Sequence, residues 1–238
     1  METVQLSLSK GFAVITPRCL YRNDFSEFRE QLEALPHKLC AFGAGETLWM
    51  PGEYIERVYY IERGIIKTAL HDEDGTKKTI YFHGPNSVFP GCHQSQFTIE
   101  LSLVTTAVTP VTALEFNIEQ MQRLLQRSPD FSQAMLESYA RYINLLIFES
   151  AHQSHHRALV KLCNLLYLLA RDAAPDKSGL QRIAFSQEEL AEILLLNRVS
   201  VARLLAQLRE EGAIDTRRGA ITIIDEDRLL SHCSLEVR

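Results

Sequence analysis

No glycine or proline interrupts residues 130–154 of this 238-residue chain, and that run limits the possible folds more than any other feature. Ser128-Pro129-Asp130 opens it. A serine oxygen can accept from an orphan N–H of a first helical turn, and proline at the first helical position gives up a hydrogen bond that the helix does not make there. Met135, Tyr139, Tyr142 and Leu146 follow at spacings of 4, 3 and 4, with Leu136 and Ile143 beside them, an apolar stripe at helical period. A helix running to about Ser154 is about 39 Å long at 1.5 Å per residue, more than a small domain needs for cover. Two readings stay open: a helix lying on its own domain, or a seam between two copies of the chain made by Met135, Leu136, Tyr139, Tyr142, Ile143 and Leu146. The length points to the seam.

Before this run the texture is different. Seven of the 11 glycines fall between residues 43 and 91 and punctuate short β-rich runs such as VYYI at 58–61 and TIYF at 79–82. Turn residues at such intervals between alternating strands signal an all-β sandwich or roll. Asp74-Gly75 between IIKTAL and KKTIYF reads as a two-residue hairpin turn, and a second strand-rich stretch runs from Phe97 to Phe116. With 46% hydrophobic and 23% charged residues, the chain can bury one large core or two modest ones.

After it come two more helical signals. His156 to Ala173 is apolar and stops at Ala174-Pro175-Asp176. Ser186-Gln187-Glu188-Glu189 then has the capping-box pattern, with Leu190, Ile193 and Leu194 as the inner face. Asn197 caps a following helix with Val201, Leu204, Leu205 and Leu208 inside, and Gly212 is its expected stop. Two short helices on a tight turn make a helix-turn-helix. Residues 214–224 add two strands around Arg217-Arg218-Gly219, a wing.

Charge divides along the same lines. The formal balance of 25 basic and 30 acidic residues is −5, which on an even distribution opposes a nucleic-acid partner. Residues 1–150, however, carry 13 Lys/Arg and 18 Asp/Glu, whereas residues 151–238 carry 12 of each. Five scattered cysteines (Cys19, Cys40, Cys92, Cys163, Cys233), with no C-x-x-C pair, read as thiols of a reducing compartment. The start lacks a basic n-region, and LLIF at 145–148 and LLYLLA at 165–170 are far shorter than a membrane span. The expectation is a cytoplasmic protein without a membrane partner.

The order of these parts, with Phe42-Gly-Ala-Gly-Glu46, Met50-Pro-Gly-Glu53, Tyr60-Ile-Glu-Arg-Gly64, Asp72-Glu-Asp-Gly75 and Ser186-Gln-Glu-Glu-Leu-Ala191 through Arg203-Leu-Leu205, resembles the Crp/Fnr superfamily of bacterial transcription regulators over about residues 38–230. The resemblance implies an α+β chain with a cyclic-nucleotide-binding-like β-roll (1–127), a long dimerisation helix (128–155) and a winged helix-turn-helix (156–238). It implies a homodimer that is not an enzyme and takes double-stranded DNA and a small-molecule effector as partners, and RNA polymerase if it activates. In the nucleotide-sensing branch a Gly-Glu pair and a later Arg-Ser pair hold ribose and phosphate. Here Gly91 or Cys92 stands at the glutamate position and Glu100 near the arginine position, and a carboxylate facing a phosphate diester repels it. The iron–sulfur branch needs an N-terminal cysteine cluster that Cys19 alone cannot supply. FGAGETLWMPGE and HDEDGTKKTIYFHGPNS are most similar to the chlorophenol-sensing regulators of reductive dehalogenation. That likeness places the effector near Tyr81, His83, Cys92 and His93 on the roll and Tyr139 and Tyr142 on the helix, a set suited to an aromatic or anionic guest. The bland alternative is that these aromatics are core.

The resemblance also assigns DNA readout to Arg198, Val199, Ser200 and Arg203, at the N-terminal turns of the second helix. Arg203 can bind guanine O6 and N7 bidentately. Valine, where relatives carry glutamate, can touch only a thymine methyl, which predicts a palindrome with A/T-rich half-sites. Ser186, Gln187, Arg217 and Arg218 are phosphate candidates, the two arginines having a plain solvated turn as their alternative reading. Leu195-Leu196 stands where the motif has a turn glycine, which predicts a wider turn or a tilted helix. Glu149, His152 and His156, with His155 adjacent, have no third fixed metal ligand and read as solvated or hinge side chains, so no metal is expected. Cys92-His93 keeps open a haem- or thiol-based sensor, and Cys163 reads as core. A cupin-like enzyme is the distant alternative, but His83 and His93 lack H-x-H spacing.

Overall fold

The computed structural model describes residues 20–21, 24–50, 53–54, 56–92, 102–172, 182–183, 185–217, 220–235 and 237. Strand β1 (Leu20–Tyr21) and helix α1 (Arg29–Glu33) precede seven further strands of a roll: β2 (Lys38–Phe42), β3 (Thr47–Trp49), β4 (Arg57–Arg63), β5 (Ile66–His71), β6 (Lys77–His83), β7 (Val88–Phe89) and β8 (Leu103–Ala107), closed by β9 (Val111–Asn117). They form two sheets, ordered β1-β6-β5-β8-β3 and β2-β9-β4-β7. Trp49, Tyr59, Ile61, Ile66, Tyr81, Phe89 and Val111 fill the space between them. Gly64 turns β4 into β5 at φ +89°, where a Cβ would strike the Pro110 carbonyl and Val111. Only glycine fits there, which gives a physical reason for the Tyr60–Gly64 motif.

The β5–β6 connection is longer than the Asp-Gly signal suggests. His71 pairs with Lys77, leaving a five-residue loop, 72–76. Gly75 does take φ +84°, but Asp74 Oδ1 accepts the Thr76 N–H at 2.7 Å and Asp72 N–H donates to Thr76 O. Side chain and backbone thus hold a wider turn than the two-residue hairpin predicts.

Helix α2 (Ile118–Arg127) follows β9 through a capping box of Asn117 and Gln120. Helix α3 (Pro129–His155) is the long helix, 27 residues, with the Ser128 side chain accepting the Phe131 N–H and Pro129 at its first position. Its apolar residues separate into two stripes. Phe131, Met135, Ser138, Leu145 and His152 are buried in their own chain. Phe131 packs with Phe25 and Phe28 at ring separations of 5.6 and 5.3 Å. Offset by one position, Leu136 (64% exposed), Ile143 (55%), Leu146 and Ile147 face outward. The predicted seam therefore needs correction. Met135 belongs to the inner core, Tyr139 and Tyr142 lie half-buried against the roll, and only Leu136, Ile143 and Leu146 remain on the outer face, joined by Ile147.

Helix α4 (Ala158–Asp172) and β10 (Arg182–Ile183) lead to α5 (Gln187–Leu194), α6 (Arg198–Glu210), β11 (Ile214–Arg217), β12 (Ala220–Ile223) and α7 (Glu226–Ser231). Strands β10, β12 and β11 form a three-stranded antiparallel sheet. Leu162, Leu166, Leu190, Val201, Leu205, Leu208 and Ile221 share one core. The α3–α4 bend is tied by polar groups. Asn164 Oδ1 accepts the Ser234 N–H at 3.0 Å, so its amide NH2 faces His152 Nε2 at 2.9 Å, and that ring nitrogen is an acceptor. His152 is thus a buried, neutral imidazole stacked on Phe148. Of the two readings the spacing leaves open, solvated or hinge, the hinge is the one the structure shows. Among the described residues no group of His, Cys, Asp and Glu is arranged to hold a metal.

Candidate nucleic-acid interface and sensor site

The turn between α5 and α6 sets the geometry of the reading helix. Ser186 caps α5 through its Oγ and the Glu189 N–H (3.2 Å), and Glu189 Oε2 takes the Ser186 N–H (2.7 Å). Leu195 ends α5 in the left-handed region at φ +52°, ψ +50°, the conformation a turn glycine would take, so the turn is not widened. The strain falls on Leu195 instead. Asn197 Oδ1 then accepts the Ser200 N–H at 2.7 Å and starts α6.

Four side chains of the α6 N-terminal turns line an open face. Val199 is 78% exposed, Arg203 and Arg198 are exposed, and Ala202 is half-buried on the same side. Val201, Leu204, Leu205 and Leu208 point the other way, into the core. Ser200 is half-buried, Ser186 exposed and Gln187 half-buried at the head of α5. Arg198 is not bare: its Nε lies 2.8 Å from Glu188 Oε1. Arg217, on the wing, lies 3.0 Å from Asp215 Oδ2. Arg203 forms no ion pair among the described residues. Arg218 lies outside the described residues, as does His93. Sequence reasoning misses Ala202 and the two carboxylates. Alanine at i+3 from Val199 is the signal for a face that a groove can approach closely.

The effector candidates fall into two groups, Tyr81, His83 and Tyr142 in one and Cys92 and Tyr139 in the other. Tyr81 and His83, alternate residues of β6, have ring centroids 4.8 Å apart, and Tyr81 meets Tyr142 of α3 edge-on at 5.1 Å. His83 packs on Phe89 at 5.0 Å. The Cys92 N–H donates to the Tyr139 hydroxyl at 3.1 Å. The cluster leaves almost no room. A space of about 20 Å³ bounded by Trp49, Thr68, Tyr81, Phe89, Leu103 and Thr105 holds roughly one water, and Thr68 and Thr105 hydroxyls bond across it at 2.9 Å. Trp49, Thr68, Phe89 and Thr105 are not legible as site residues, because nothing local marks an inward strand position as lining. Burial alone pushes the His83 ring down to about 3 and the Cys92 thiol up to about 12. Both are neutral near pH 7 in the closed cluster.

The reader is docked on the roll. Lys67 of β5 pairs with Glu192 of α5 at 2.9 Å. Lys78 of β6 pairs with Glu149 of α3 at 3.1 Å and also donates to the Ile193 carbonyl of α5. Phe82 lies edge-on to Phe185 at 5.6 Å and is buried in the reader's core. Strand β6 therefore presents Tyr81 and His83 to the aromatic cluster and Phe82 between them to the reader.

A closed aromatic cluster in a β-roll, spanned by a long helix and joined to a winged helix-turn-helix with an open arginine-bearing face, gives the architecture of a DNA-binding regulator. Residues 39–128 match the cyclic nucleotide-binding domain family and residues 160–231 the Crp-like helix-turn-helix domain. The global nitrogen regulator of Synechocystis sp. is 32% identical over 206 residues, covering 80% of this chain and 86% of that protein. A CRP-like cAMP-activated global transcriptional regulator of Mycobacterium tuberculosis is 24% identical over 197 residues, 79% and 84% of the two chains. Among solved structures, CprK complexed with OCPA superposes with a TM-score of 0.70 at 20% identity, covering 88% of this chain and 96% of that one. A CooA variant from Carboxydothermus hydrogenoformans does so at 0.74 and 17%, covering 90% and 97%. The chain belongs to the Crp/Fnr family of transcription regulators. These relatives are regulators, not enzymes, and no helix among the described residues is long and apolar enough to cross a membrane.

Proposed function

We propose that this chain is a homodimeric, effector-responsive regulator that reads a palindromic A/T-rich DNA site and takes a small aromatic effector, uncharged at its buried end and distinct from a cyclic nucleotide. The open face of α6, with Val199 and Arg203 a turn apart, carries the reading. The apolar outer stripe of α3 supports dimerisation, since an exposed row of Leu136, Ile143, Leu146 and Ile147 on a 27-residue helix suits a second copy.

The effector acts by displacement. With space for about one water at the cluster, a phenol-sized ring enters only when Tyr81 or Trp49 swings aside. That moves β6, and with it the Phe82–Phe185 contact and the Lys78 tether of α5. The effector thereby selects between docked and released readers by differential affinity. A buried Cys92 thiol, protonated at neutral pH, argues against a thiol switch. The reading needs no resident cofactor.

Enrichment of a randomised duplex pool by the purified protein tests this. A palindrome with A/T-rich half-sites about one helical turn apart is expected, with enrichment lost in Arg203→Ala while the dimer persists. A GC-rich consensus opposite Val199, or enrichment that survives Arg203→Ala, sinks the reading. Titration of phenols, aromatic acids and cyclic nucleotides, followed by emission of Trp49, the only tryptophan, tests the effector class.

A further inference from the structure

Two of the arginines assigned to DNA, Arg198 on α6 and Arg217 on the wing, are each met by a carboxylate that the local fold does not need. Glu189, not Glu188, closes the α5 capping box. Glu188 instead reaches across to α6, its Oε1 2.8 Å from Arg198 Nε. On the wing, Asp215 sits two residues before Arg217 on the same side of β11, 3.0 Å from its Nε. Both guanidiniums are largely solvent-exposed, at 66% and 84%, so neither pair is needed to satisfy a buried charge. Arg203, one turn beyond Val199 on α6, carries no such partner among the described residues. The same design shows in the totals: 12 basic and 12 acidic residues in 151–238 leave the reader without net positive charge.

Resting on the assignment of this face to DNA, we propose that Glu188 and Asp215 are specificity-determining residues, which neutralise Arg198 and Arg217 against the DNA backbone and leave recognition to base contacts. Binding to random sequence comes almost wholly from phosphate neutralisation and counterion release. A guanidinium already paired offers a phosphate little, because the phosphate must displace a carboxylate and then lie beside it. At a cognate site the balance differs. At Arg198 the carboxylate meets Nε and the two terminal nitrogens can still donate to a base edge in the groove, and at Arg217 a phosphate held in register by the cognate base contacts can still reach the pair. The carboxylates thus cost the protein affinity for random DNA and much less for its own site.

The test compares wild type with Glu188→Gln, Asp215→Asn, the double variant, Arg203→Ala, and Glu119→Gln as a charge control on α2, away from the reader. Two duplexes are used, one of random sequence and the one enriched from a pool. Each reader substitution is expected to tighten random-sequence binding two- to fivefold. Each should also steepen the slope of log K against log salt by about 0.9, the increment for one more phosphate neutralised, lowering the ratio of enriched to random affinity. Glu119→Gln leaves both affinities unchanged, and thermal melting confirms that each variant is folded. If Arg203→Ala loses the enriched duplex while Glu188→Gln and Asp215→Asn match wild type in affinity and slope, the inference is overturned and the assignment of the face stands. A proportional rise in affinity for both duplexes also overturns it, since that is a bulk charge effect. If Arg203→Ala binds both duplexes as wild type does, the assignment of the face fails instead.

Discussion

Leu195 holds a backbone conformation that costs an L-residue about 1–2 kcal/mol, against about 0.5–1 kcal/mol of extra chain entropy for glycine. Its side chain is half exposed and is not part of the reader's core. Leu195→Gly is therefore expected to raise the melting temperature slightly, by up to a few degrees, and a clear fall would show that the side chain makes contacts that matter. His83 gives a pH dependence. Buried and neutral in the folded chain, its ring takes a proton readily only on unfolding, so acid favours the unfolded state. The ring adds no proton-linked cost above pH 6.5, and below it stability declines by about 1.4 kcal/mol per pH unit until the folded ring titrates near 3. Urea midpoints at pH 7, 6 and 5 should fall less steeply in His83→Leu than in wild type; equal slopes would place the proton uptake elsewhere. At this scale the sequence is informative where a residue acts through its own backbone, as with the caps Ser128, Ser186 and Asn197. It is silent where the partner is distant. Nothing near His152 announces Asn164 and Ser234, so the spacing leaves solvated and hinge readings level where the structure has a buried hinge.

Among elements, α3 shows how a period can be right and a face wrong. Heptad-like spacing fits both the inner stripe through Phe131, Met135, Ser138 and Leu145 and the outer one through Leu136, Ile143 and Ile147, because the two are offset by one residue on one helix. Mixing them puts Met135 at the seam. The two stripes predict opposite phenotypes. Ile143→Glu should yield a folded monomer by sedimentation, with melting little changed beyond the loss of association. Met135→Ala should stay dimeric and lose about 2–5 kcal/mol of stability from a cavity in the roll-side core. An unfolded Ile143→Glu would show that the outer stripe is structural within one chain. Helix α2 carries signals of its own that its neighbours mask. Asn117 and Gln120 have a capping pattern and Ile118, Met121 and Leu124 a helical period, but the strand-rich residues before them draw the stretch into the roll. The two helices of the helix-turn-helix are legible nearly to the residue, since their boundaries are set by local caps and a stop, Ser186, Asn197 and Gly212 at φ +76°, whereas β10 and α7 go unread.

For the molecule as a whole, the sequence shows the parts and not how they meet. Lys67–Glu192, Lys78–Glu149 and Phe82–Phe185 join residues 71 to 125 positions apart or lie in separate cores by sequence, and no local pattern encodes such pairs. Their consequence is measurable. Phe82→Ala combined with Lys78→Met should speed amide exchange in α5 at least tenfold and leave exchange within β4 and β9 unchanged. Unchanged exchange in α5 would mean that docking on the roll adds nothing to its protection.

Strand β6 separates two tasks by the parity of its residue numbers. Residues 81 and 83 meet the sensor cluster, and residue 82 meets the reader. Ligand preference can therefore drift, in evolution or in the laboratory, through substitutions at the odd positions while the even position preserves the link to DNA. A library that varies 49, 81 and 83 and holds 78 and 82 should return regulators with new effectors and intact switching. Insertion of a single residue into β6 would exchange the two faces and break the roll core and the link to the reader together.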